Sequence, residues 1–116
     1  MAVNITAWRR VVKGVVEGIA DEAMQRRAWF GAGPEIASPG EAFDMFFGDA
    51  AIEDFLARTD NGLDDAQTAA GRRLVARMEN LLKETKAEEW MDPHYMIDDP
   101  RWKAIRAAAA EFAEGL

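Results

Sequence analysis

Apolar residues recur every three or four positions along most of this chain, and no stretch of five alternates apolar with polar between turn signals. Ile5, Trp8, Val12, Val15, Ile19 and Ala23 form a single helical stripe, widened by Val11 and Val16. The spacing predicts a first long helix from about Ile5 to about Trp29, with Asn4 as its N-cap. Gly14 and Gly18 each weaken that helix by up to ~1 kcal/mol relative to Ala, and their bare backbone invites close approach by another helix. Lys13 and Glu17 are four apart and suit a weak pair on the exposed side.

Gly31-Ala32-Gly33-Pro34 ends the first helix and opens a loop. Ser38-Pro39-Gly40-Glu41 is a capping box with Pro at the first helical position, and it predicts a short helix to about Phe47 with Gly48 at its exit. Asp49 then reads as the cap of another short helix, from Ala50 to about Arg58, with Ile52, Phe55 and Leu56 inward. After a turn at Thr59-Asp60-Asn61-Gly62, the box Asp64-Asp65-Ala66-Gln67 launches a second long helix to about Lys86. Its stripe is Ala70, Leu74, Met78, Leu81 and Leu82, with Val75 beside it. Asp92-Pro93 predicts a turn or short helix through Met96. Asp99-Pro100 predicts a C-terminal helix through about Glu114, with Trp102, Ile105, Ala109 and Phe112 on one face. The expected fold is all-α: residues 1–116 as a single compact domain of two long helices, a C-terminal helix and two or three short ones.

A chain of 116 residues can bury roughly two-thirds of its unfolded surface, enough for a core without staples. Cysteine is absent, which excludes disulfides and thiolate metal sites and fits a reducing, cytoplasmic location. Arg9, Arg10, Lys13, Glu17, Asp21 and Glu22 interrupt the early apolar runs, so no secretory signal is expected. No window approaches the ~20 apolar residues of a membrane span.

Charge is distributed unevenly. Between Gly31 and Gly71 there are nine acidic residues and one basic residue, Arg58, so this stretch carries the excess behind the net charge of −7. The same stretch holds Phe43, Phe46, Phe47 and Phe55. An acidic surface on an aromatic frame suits a basic protein partner, because unlike fields steer association and suppress wrong partners. The same sign argues against nucleic acid, which needs basic surface to displace counterions, and against anionic membranes.

Catalytic chemistry finds little support. His94 is the sole histidine, so zinc and copper sites lack their usual ligands. Asp60-Asn61-Gly62-Leu63-Asp64-Asp65 has oxygen ligands but neither the spacing nor the terminal Glu of a calcium loop. Ser38 is explained as a cap, and no third group orients His94 toward a hydroxyl. Gly31-Ala32-Gly33-Pro34-Glu35 follows a helix and places an acid where a phosphate would be repelled. No enzyme, metal or cofactor is expected. A small carboxylate-dependent enzyme is the weakest alternative. Self-association through the Gly14/Gly18 side or exposed tryptophans is the stronger one.

Trp29-Phe30-Gly31-Ala32-Gly33-Pro34-Glu35 is the most distinctive string, two large aromatics at a turn. It serves either to close the core where the long helix turns back or to contact a partner. The string from Trp29 to Pro39, running into the acidic short helices, resembles small acidic helical bacterial proteins of the immunity type over residues 29–65. Such proteins neutralise a cognate toxin, for example in contact-dependent growth inhibition. The resemblance implies a cytoplasmic inhibitor that masks a basic, nuclease-like surface. The charge pattern, read independently, proposes a contact surface of Glu35, Glu41, Asp44, Asp49, Glu53 and Asp54, with Trp29 or Phe30 as aromatic anchor.

Overall fold

The computed structural model describes residues 3–34 and 37–116, and every regular element among them is helical. The first stripe produces α1 (Ile5–Ala20) and α2 (Glu22–Ala28) rather than one helix to Trp29. Asp21 breaks the run. Its side chain accepts the Met24 N–H at 2.9 Å and caps α2, so the backbone leaves the helical path for one residue. Ala23, expected on the buried stripe, is exposed, and Gln25 and Ala28 turn inward instead.

Ser38 caps α3 (Pro39–Asp44) by accepting the Glu41 N–H at 3.2 Å, the forward half of the expected box. The next stretch departs from expectation. The chain passes directly into a π-helical turn (Met45–Asp49) that contains Gly48 rather than ending before it. The following helix, α4 (Ile52–Ala57), is not capped by Asp49. Its N-cap position is Ala51, held left-handed at φ 45°, ψ 53° with no side-chain hydrogen bond. A non-glycine residue there costs roughly 1–2 kcal/mol. Burial opposes that cost: Phe46, Ala50, Ile52 and Phe55 are all fully buried. The Ala50 carbonyl also accepts the Trp8 indole N–H at 2.7 Å.

The remaining elements follow local signals closely. Asp64 and Gln67 form the complete capping box of α5 (Asp65–Glu84). The unanticipated α6 (Ala87–Trp90) precedes α7 (Pro93–Met96) and α8 (Pro100–Glu114), whose caps are Asp92 and Asp99 with Pro at the first turn. α8 is the central helix and makes the two most extensive helix pairings, with α1 and with α5. The α3–π segment packs along α1, and α4 bridges that segment to α5. All of them meet in one core, where Val16, Phe46, Phe55, Leu74, Trp102 and Phe112 are buried together. The radius of gyration, 14.1 Å, is close to the about 13 Å expected of a packed chain this long. Among the described residues, no helix is long and apolar enough to cross a membrane.

Gly71 marks the tightest junction of the helices. A Cβ there would lie 2.8 Å from Leu56 Cδ2 and 3.0 Å from Phe112 Cε1. Gly71→Ala gains up to ~1 kcal/mol of helix propensity but overpacks at a cost of about 1–3 kcal/mol. The expected result is a net loss of about 1–2 kcal/mol in urea unfolding. A more stable variant would mean that α4 and α8 retreat freely.

Candidate functional site

α1 turns Gly14, Val15, Gly18 and Ile19 toward an open groove. Met24, Gln25 and Trp29, from α2 and its C-cap, form one wall. Ala37, Glu41, Ala42 and Met45, from the α3–π segment, form the other. The cavity measures about 320 Å³. The glycines do not receive another helix, contrary to the sequence expectation. A Cβ on Gly14 would meet nothing within 4 Å, and one on Gly18 would meet only Met24 Cε at 3.9 Å.

The polar group in the floor is already occupied. Gln25 is 1% exposed, and its Nε2 donates to the Gly18 and Ile19 carbonyls at 3.0 and 2.8 Å. Its Oε1 accepts from Trp102 Nε1 at 3.0 Å and Arg106 Nη1 at 3.3 Å. The groove therefore offers apolar surface to a visitor. Glu41 is the one charged side chain among the described residues that line it.

The proposed contact residues are distributed as follows. Trp29 is 7% exposed and packs on Trp102, with ring centroids 5.5 Å apart, so it belongs to the core and shows the groove only an edge. Phe30 is the exposed aromatic of the pair, tilted against His94 at 4.8 Å. Glu35 lies outside the described residues. Glu41, Asp44, Asp49, Glu53 and Asp54 are all exposed. Among the described residues, none of the five forms an ion pair with Lys or Arg. Asp60, by contrast, is held by its neighbour Arg58 at 2.8 Å.

These acids do not all line one depression. Glu41 faces the α1–α2 groove, whereas Glu53 lies in a second, shallower groove with Leu56, Arg72, Val75 and Glu79. There the Glu79 carboxyl, hydrogen bonded to Glu53 and repelling its charge, holds the Glu53 carboxyl above its ordinary range.

The arginines of the flanking helices divide in role. Arg26 bridges Glu22 and Asp98, each at 2.7 Å, and Arg73 reaches Glu111 at 2.8 Å. Arg9 instead donates to the Asn61 and Gly115 carbonyls at 3.1 and 2.9 Å, tying the α4–α5 turn to the end of α8. Arg26 and Arg73 are thus engaged away from the acidic helices.

The sequence reading did not find Met24 and Met45 as groove walls. Met45 is 42% exposed, and its place on a π turn leaves no helical periodicity that would reveal it. No family model, curated protein or solved structure matches the chain. Fold and groove together define an all-α protein with an acidic middle segment beside an apolar groove.

Proposed function

We propose that this chain is an acidic protein-binding module that covers a basic surface of its partner, in the manner of an immunity protein neutralising a toxin. It acts by occlusion and charge complementarity, without turnover, in the cytoplasm. The observation that carries the reading is that Glu41, Asp44, Asp49, Glu53 and Asp54 stand exposed on consecutive helical segments and, among the described residues, form no ion pair with Lys or Arg. Carboxylates that no internal cation neutralises keep their field for an approaching cation, and that field acts chiefly on the association rate. Phe30 is the exposed aromatic beside this surface in sequence; Trp29 is committed to the core.

Affinity capture from the native cell, read by mass spectrometry, identifies the partner, and co-expression then tests whether the chain blocks it. Association with the captured protein is expected to slow as salt rises. The double reversal Asp49→Lys with Asp54→Lys is expected to slow it about tenfold or more at low salt. A rate indifferent to both changes would remove this surface from the mechanism. A stable dimer by light scattering, with no partner captured, would favour self-association instead.

A further inference from the structure

We propose that the groove between α1, α2 and the π turn seats an aliphatic side chain of the basic partner, and that a Lys or Arg beside it in the partner meets Glu41. This inference rests on the proposed function and adds what the partner must present.

The groove is built at a cost that packing does not require. Gly14 and Gly18 each forfeit up to ~1 kcal/mol of helix stability relative to Ala, yet neither has a neighbour that forbids a side chain. Alanine at Gly14 would enter open space and reduce the groove. The walls suit an apolar guest. Met24 and Met45 are unbranched and polarisable and adapt to an entering chain, and the Gln25 amide is saturated by its own bonds. About 320 Å³ lies at the small end of ligand cavities and is open enough for a side chain to enter from outside.

Charge selects among occupants. With Glu41 as the charged group on the described lining, and the acidic helices adjoining, a cation beside the apolar group is favoured and an anion is repelled. A second copy of this chain, itself carrying −7, is a poorer match than a basic segment.

The test uses the full chain with ¹³C-labelled methionine methyls. Met24 and Met45 report on the groove, and the fully buried Met78 and Met96 report on the fold. The probe is a short amphipathic helical peptide of Leu and Lys, compared with the same peptide carrying Ala for Leu or Glu for Lys. The Leu/Lys peptide is expected to move the Met24 and Met45 methyls and leave Met78 and Met96 in place. Replacing its Leu by Ala is expected to weaken binding at least tenfold, and the Glu version should not bind. Gly14→Leu, which fills the groove from an exposed helix position, should also weaken the Leu/Lys peptide at least tenfold. Gly18→Ala, adding one methyl, should give a smaller loss.

Unchanged affinity in Gly14→Leu, silent Met24 and Met45 methyls, or equal binding of the Glu peptide overturns the proposal. So do Met24 and Met45 shifts that appear with protein concentration alone, which would place a second copy in the groove. Salt-dependent binding that survives Gly14→Leu refutes the groove and leaves the acidic surface standing. Loss of all salt dependence, for the Ala/Lys peptide as well, refutes the acidic surface itself.

Discussion

Gln25→Leu is expected to lower the unfolding free energy by about 3–4 kcal/mol, a large part of the ~5–15 kcal/mol of a typical domain. Leu and Gln have similar helix propensity, so the effect comes from the amide. Without it, the Trp102 indole N–H loses its one acceptor, and the Ile19 carbonyl loses a donor beyond the end of α1. Arg106, 6% exposed, keeps the Ile97 carbonyl at 3.1 Å and Glu22 at 3.4 Å but gives up its third partner. Burial already pushes the Arg106 guanidinium below its ordinary pKa, so a lost partner falls on a group that desolvation disfavours. A buried donor or acceptor left bare costs about 1–3 kcal/mol, and two such groups set the expected size. Urea unfolding measures the loss, and a Gln25/Arg106 double-mutant cycle isolates the direct coupling between them. A loss below about 1 kcal/mol would mean that water takes the place of the amide.

The same residue explains what the first helix withheld from a reader of the sequence. Where a start signal is local, the chain states it. The Asp64–Gln67 box and the Asp99-Pro100 pair give α5 and α8 within a few residues, because a cap and its stripe lie within one or two turns of each other. The Asp21 cap at the break is local, but the inward turn of Gln25 behind it is not. Gln25 faces inward because Trp102 and Arg106 receive it, 77 and 81 residues along the chain. The π turn and left-handed Ala51 likewise serve a bond from Trp8 to Ala50, 42 residues apart. Caps and periodicity carry no information about such partners.

The candidate site divides on the same line. The charge pattern proposed Glu41, Asp44, Asp49, Glu53 and Asp54 as surface residues, and all five are exposed. Which groove each acid faces depends on how α3 and α4 are rotated against α1 and α5, and this separates Glu41 from Glu53. Gly14 and Gly18 were visible as helix glycines, but an empty space over them is a property of the assembled helices. The resulting surface is a set of exposed acids of which Glu41 borders the apolar recess. On such a surface, electrostatics governs the rate of encounter and the recess governs how long the encounter lasts.

The recess depends on the core behind it, and Trp102→Ala tests that dependence. Trp102 is fully buried, packs against Trp29 at 5.5 Å and Phe43 at 5.9 Å, and donates its N–H to Gln25. Truncation to Ala is expected to cost about 3–5 kcal/mol, the usual range for a large aromatic removed from a core that collapses only in part. Trp102→Phe keeps most ring contacts and loses the N–H, while Gln25 Oε1 still accepts from Arg106. Its expected cost is about 1–2 kcal/mol. The gap between the two variants, read in the same urea series, separates ring packing from the hydrogen bond. If Phe proves as damaging as Ala, the N–H bond rather than the ring holds α8 to α2, and Gln25 becomes the primary fastener of the groove wall. If Phe is nearly silent, Trp29 and Phe43 are held by shape alone, and the Gln25→Leu loss must come chiefly from the Ile19 carbonyl and Arg106.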